Sequence, residues 1–161
     1  MENTKYCQTP VGMIGISEYQ NSITKLFFCR SHIFRRSDSQ ETPVLKEAAR
    51  QLAEYFSGRR KVFSLPLSPE GTEYQKNIWA VLRDIPYGET RTYKQVAQAA
   101  GRPGSCRAVG TACHRNPIAI LIPCHRVIGS NGGLVGYAAG LEIKKALLDL
   151  EKCNHNLEVL E

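Results

Sequence analysis

The sequence predicts an α/β protein in two parts, a small N-terminal α/β domain over residues 1–68 and a helical C-terminal domain over residues 69–161. Three observations lead to this division. Two β-rich runs and one amphipathic helical pattern fill the first part. The segment Pro66-Leu67-Ser68-Pro69-Glu70-Gly71 gathers Pro and Gly where a linker belongs. Beyond it, two capping-box patterns open short helices separated by Gly-containing turns.

Val11 to Tyr19 and Ile23 to Phe28 read as strands joined by the polar turn Gln20-Asn21-Ser22. Thr42 and Pro43 then start a helix whose apolar stripe is Val44, Leu45, Ala48, Leu52, Tyr55 and Phe56, ended by Gly58. Lys61 to Leu65 reads as a further strand. In the second part Thr72-x-x-Gln75 caps a helix with the stripe Tyr74, Ile78, Val81, Leu82 and Ile85, stopped by Pro86-Tyr87-Gly88. Thr92-x-x-Gln95 caps a shorter one that Gly101 ends, and after Arg102-Pro103-Gly104 another helix runs from Ser105 to His114. Two short helices around a tight turn outline a helix-turn-helix, with a plain αα-hairpin open as the alternative. The run Ile118-Ala119-Ile120-Leu121-Ile122 is short and wholly apolar, so burial is expected. A Gly-rich loop, residues 129–133, leads to a last helix from Leu141 to about Lys152.

At 161 residues and 42% hydrophobic content, the chain can bury one ordinary core or two small ones. No apolar run reaches the roughly 18 residues of a membrane span, and Met1 to Pro10 lacks the apolar core of an export signal. A soluble, cytoplasmic protein is expected (nuclear in a eukaryote), with its six cysteines as reduced thiols. Residues 86–130 carry six basic side chains, Arg91, Lys94, Arg102, Arg107, Arg115 and Arg126, against the single acid Glu89, and so hold +5 of the net +6. Such a local excess suits a polyanion such as nucleic acid. Cys7 with Cys29-x-x-His32 offers three metal donors but no paired Cys-x-x-Cys element, so no metal is expected. No nucleotide fingerprint appears, and no small cofactor is implied.

The chemistry concentrates at Pro123-Cys124-His125-Arg126. A thiol delivered by a buried run is rigidly placed, and a neighbouring His or Arg lowers a Cys pKa from about 8.5 toward the reactive thiolate. Taken alone, such a Cys beside a His is more often a small buried side chain than a nucleophile. The string Ile122-Pro123-Cys124-His125-Arg126-Val127 resembles the hallmark of the methylated-DNA–protein-cysteine methyltransferases, or O6-alkylguanine-DNA alkyltransferases. The likeness runs from Thr72 to Glu151, through Gln75, Trp79, Ile85-Pro86-Tyr87-Gly88-Glu89-Thr90, Tyr93, Arg107-Ala108-Val109-Gly110, Asn116-Pro117, Gly136-Tyr137, Leu147-Leu148 and Glu151. The N-terminal half shares only Thr9-Pro10-Val11-Gly12 and its strand-rich texture.

That resemblance implies a ribonuclease H-like first domain and a winged-helix-like second one, and a single-turnover repair of alkylated DNA. It makes Cys124 the acceptor of the alkyl group from guanine O6, and His125 a base acting through a water. Glu151 becomes the carboxylate orienting that base, and Asn116 the residue shaping the turn before the site. It assigns Arg107, Ala108, Gly110, Tyr93 and Arg126 to DNA. Arg107 fills the gap left by a flipped nucleotide, and Tyr93 both turns the phosphate and gives a proton to the leaving base. Tyr137, Ala138 and Ala139 would wall the base pocket. Many relatives carry Gly at the position of Ala139 and others a bulky residue, which leaves the width of the pocket open, with adducts larger than methyl expected to be accepted less readily. The partner implied is double-stranded DNA containing O6-alkylguanine, with O4-alkylthymine open as a second substrate. A monomer is expected, with cooperative binding along DNA left open. A thiol hydrolase, a binding protein that recognises the lesion without repairing it, and a transcription factor are the competing readings; the presence of Cys124 argues against the second.

Overall fold

The structure, a computed structural model of the chain, describes residues 2–29, 40–133, 136–137 and 139–159, with side chains as far as residue 155. It divides into two compact units, Met1–Glu70 with Pro117–Ala119, and Gly71–Asn116 with Ile120–Glu161.

In the first unit a three-stranded antiparallel sheet runs in the order β1 (Asn3–Thr9), β2 (Gly12–Tyr19), β3 (Ser22–Phe28). Gln20 and Asn21 both adopt positive φ, 50° and 66°, the backbone a two-residue hairpin needs to match strand twist. β1 is a strand that sequence reasoning did not anticipate. β2, now central, is buried on both faces. Ile14 and Ile16 join the core with Leu45, Ala48, Leu52 and Tyr55 of α1 (Pro43–Phe56). On the other face the Phe27 ring lies over Gly15, where an added Cβ would sit 2.3 Å from the ring, so only Gly fits. Thr42 caps α1 by accepting from the Leu45 N–H.

Lys61 to Leu65 is not a strand. The Ser64 N–H bonds to the buried Gln51 side chain at 3.0 Å, so this backbone is satisfied by α1 instead of a sheet edge. Pairing resumes later: Ile23 bridges Leu67, and Leu26 bridges Ile118. The Leu26 N–H donates to Pro117 O and the Ala119 N–H to Leu26 O, which draws residues 117–119 into the first unit.

The second unit is helical. α2 (Glu73–Arg83) and α3 (Tyr93–Ala99) each begin with a complete capping box, Thr72 with Gln75 and Thr92 with Gln95. α4 (Cys106–His114) follows a turn in which Gly101 and Gly104 take positive φ, completing the helix-turn-helix outline. The indole Nε1 of buried Trp79 donates to Ala112 O at 2.9 Å, pinning α4 to α2. β4 (Arg91–Thr92) and β5 (Val127–Ile128) form a short parallel pair. α5 (Leu141–Val159) continues seven residues past the expected end and buries Lys144, Leu147 and Glu151, one helical face at i, i+3 and i+7. No described helix is long and apolar enough to cross a membrane.

Candidate active site

The apolar run is buried as expected, with Ile118, Ile120, Leu121 and Ile122 all in the core. Ile120 adopts φ 71°, a left-handed conformation that β-branched residues avoid; its burial holds it there and redirects the chain. After Pro123, one turn of 3₁₀ helix carries Cys124–Arg126. With three residues per turn, successive side chains leave about 120° apart, so Cys124 and His125 serve different surroundings despite being neighbours.

Cys124 is buried, and its Sγ accepts a hydrogen bond from Asn116 Nδ2 at 3.2 Å; the same amide donates to Ile122 O at 2.8 Å. Burial pushes the thiol pKa up. The Asn116 hydrogen bond, the Lys144 charge and the Tyr137 hydroxyl pull the other way without cancelling it. The resting group is therefore a thiol, surrounded by groups that favour its anion.

His125 is fully buried, and burial lowers its pKa, with Glu151 partly opposing. Its Nε2 lies 2.7 Å from Glu151 Oε2. Burial works against the Glu151 carboxylate, yet His125 and Arg126 more than offset this and hold its pKa down to about 2. A carboxylate there fixes the Nε2–H tautomer of the neutral ring and leaves Nδ1 as the basic nitrogen. Nδ1 has no hydrogen-bond partner among the described residues.

Arg126, expected on the DNA surface, is instead buried. Its Nε and Nη2 donate to the two oxygens of Glu151 at 2.7 and 3.1 Å, and Nη1 donates to Ile85 O at 2.7 Å. Its guanidinium also lies 5.7 Å from the centre of the Tyr87 ring. Each guanidinium nitrogen donates within the protein, which commits the cation to Glu151 and Ile85 in place of the surface.

Beside Cys124 opens a cavity of about 590 Å³, lined by Tyr93, Lys94, Cys106, Arg107, Gly110, Cys113, His114, Gly129, Ser130, Gly136 and Tyr137 as well as Cys124 itself. Such a volume is that of small-molecule sites. The structure thus brings together Cys124, Tyr93, Arg107, Gly110 and Tyr137, with Asn116 on the sulfur and Glu151 on His125. Burial, with the fields of Cys113 and Cys124, pushes the half-buried Tyr93 hydroxyl up to about 12, so it keeps its proton. Arg107 is exposed and Ala108 half-buried outside the cavity lining.

Ala139 does not line the cavity. It lies within the turn closed by Gly140 N–H to Tyr137 O at 2.9 Å. Ala138 and His32 lie outside the described residues. Among the described residues no three His, Cys, Asp or Glu side chains are grouped to hold a metal.

Sequence reasoning missed Lys144. It is wholly buried, its Nζ donates to Val127 O at 2.6 Å, and burial lowers its pKa while Cys124 and Cys113 raise it. The i, i+3, i+7 spacing of Lys144, Leu147 and Glu151 was the available signal. Cys113 and His114 were also missed, although they follow Gly110 at i+3 and i+4 on a face already assigned to DNA.

Two family models match the chain. The 6-O-methylguanine DNA methyltransferase DNA binding domain covers residues 73–153, and the ribonuclease-like domain of the same methyltransferase covers residues 4–69. A methylated-DNA–protein-cysteine methyltransferase of Methanosarcina barkeri is 51% identical over 150 residues, 91% of this chain and 95% of that one. A constitutive one of Bacillus subtilis is 46% identical over 155 residues, 92% and 94% of the two chains. Among solved structures, Mycobacterium tuberculosis OGT in complex with DNA superposes with a TM-score of 0.84 at 38% identity, covering 94% of each chain.

Proposed function

The chain belongs to the 6-O-methylguanine DNA methyltransferase family, and from that membership we propose that Cys124 is the thiol onto which it takes an alkyl group from guanine O6. It is a DNA-repair protein, a methyltransferase whose acceptor is a cysteine of its own, used once.

In the proposed reaction the flipped base enters the cavity with its O6 substituent toward Cys124. His125 Nδ1 takes the thiol proton through a water, and Glu151 steadies the ring by accepting from Nε2–H. Sγ attacks the alkyl carbon in line. The new S–C bond forms as the C–O6 bond breaks, and its electron pair leaves with the guanine. The Tyr93 hydroxyl, still protonated, donates to the departing base. Asn116, Lys144 and Tyr137 stabilise the thiolate as it develops. The thioether has no leaving group to return, so each molecule acts once. Arg107, exposed at the cavity mouth on α4, suits the gap in the duplex from which the base is drawn.

The observation that carries this reading is Cys124 on the wall of a base-sized cavity, with Asn116 on its sulfur and the next residue, His125, paired with Glu151. The test is incubation with a duplex carrying radiolabelled O6-methylguanine. Label should pass to protein at one equivalent and vanish from the Cys124→Ala variant. Label retained on DNA by the intact chain, or transferred equally by the variant, would refute it.

A further inference from the structure

α4 presents two further thiols, Cys106 and Cys113, to the same cavity. Cys106, Arg107, Gly110, Cys113 and His114 recur at the spacing of one helical face and line the space that Cys124 also lines. The six cysteines are free thiols in the structure, and Cys113 is the half-buried one that shares Cys124's cavity.

Asn116 links the two. Its backbone N–H donates to Cys113 O at 3.3 Å, while its side chain donates to Cys124 Sγ at 3.2 Å. The end of α4 that carries Cys113 is thereby held against the acceptor. Cys106 lies seven residues earlier, a rise of about 10.5 Å along the helix. That exceeds the roughly 7 Å over which two Cα atoms can be bridged, so Cys106 and Cys113 do not pair with each other.

We propose that Cys113 is a resolving thiol for Cys124: under a peroxide oxidant the two close an intramolecular disulfide that masks the acceptor and that a small thiol reopens. In the first step the Cys124 thiolate displaces hydroxide from hydrogen peroxide, giving a sulfenic acid, Cys124–SOH. In the second, Cys113 sulfur attacks the Cys124 sulfur, and the thiol proton and the departing hydroxide leave as water. Two thiols are oxidised and one peroxide is reduced to two waters. The division of labour follows the surroundings. Burial raises both thiols and Lys144 opposes it at both, but only Cys124 has the hydrogen bonds of Asn116 and Tyr137 to support its anion, whereas burial and then the field of Cys124 push Cys113 up to about 12, so it waits as a thiol. The consequence is protective. A sulfenic acid left alone proceeds to sulfinic acid, which small thiols do not reverse, and a single-use acceptor would be spent without a repair. That masking affects repair rests on the reading of Cys124 as acceptor; the bond itself does not.

The test treats the full chain with hydrogen peroxide, blocks remaining thiols with a maleimide, and reads intact and peptide masses. The intact chain should lose two hydrogens and yield a linked peptide pair containing Cys113 and Cys124, cleaved by dithiothreitol. Methyl acceptance from the labelled duplex should be lost on oxidation and return on reduction. The Cys113→Ser variant should instead gain oxygens at Cys124 that dithiothreitol does not remove. Oxygenated Cys124 in the intact chain without the linked pair, or a bridge from Cys124 to a different cysteine, overturns the proposal. A chain that forms the linked pair yet never accepts label supports the pairing and refutes the acceptor reading instead.

Discussion

Asn116 makes the most direct contact with the reactive sulfur, and its removal isolates that contact. Asn116→Ala deletes a donor to Cys124 Sγ, so the thiol pKa should rise further and methyl transfer should slow by roughly 10- to 150-fold, since hydrogen bonds to charged groups contribute roughly 1.5–3 kcal/mol. Ultraviolet titration of the thiolate against a Cys124→Ala reference checks the first, and single-turnover kinetics the second. The buried pair beside it sets the response to acid. His125 has a folded pKa below its ordinary 6.5, so the unfolded chain binds a proton that the folded chain refuses as pH falls below that value. Glu151 is held at about 2 against an ordinary 4.5, so its contribution is complete above 4.5 and is lost as pH falls from there toward 2. Thermal melts should therefore be nearly flat above pH 6.5 and decline in two stages below it. Glu151→Gln should shrink the lower stage, leaving only the weaker share of the exposed Glu41 and Glu47, and should leave Arg126 as an uncompensated buried cation, a cost of about 3–5 kcal/mol. A melting temperature unchanged in that variant would show the pair to be energetically idle.

At the scale of elements, the two capping boxes are the features most cleanly readable in advance, because each is a local exchange of hydrogen bonds within four residues. Thr72→Ala and Thr92→Ala should each cost about 1 kcal/mol, a fall of roughly 2–4 °C in melting temperature. The Thr92 variant should also slow transfer, since α3 begins at Tyr93. What escaped the sequence is non-local. β1 shows no alternation of its own, and it becomes a strand only because β2 offers it an edge. Lys61 to Leu65 has strand-like residues, but Gln51 claims the backbone first. Arg126 reads as a surface charge until Glu151, 25 residues on, is folded against it. Local chemistry made Cys124 and His125 candidates, and the resemblance of a long ordered motif was needed to single them out and to add Glu151. Their spacing in the chain carries no trace of the 2.7 Å contact between His125 and Glu151.

For the molecule as a whole, the burial of Arg126 divides the basic residues of 86–130 into those free to meet phosphate and one that is not. Arg107→Ala should weaken duplex binding, with the remaining affinity still falling steeply as salt is raised. Arg126→Met should leave the salt slope unchanged and act on folding stability, and a reduced slope in that variant would return Arg126 to the DNA surface. The excursion of residues 117–119 into the first unit has a bearing on how this protein can be divided. A fragment beginning at Gly71 would keep Cys124, His125 and Glu151, but would leave the Pro117 carbonyl without the Leu26 N–H that donates to it and the Ala119 N–H without the Leu26 carbonyl that accepts from it. That stretch enters the buried run leading to Cys124, only five residues before it. The acceptor half is thus not an interchangeable cassette. A gene shortened or spliced at the apparent linker would inherit every reactive side chain and still lose the tether that sets where the first of them begins.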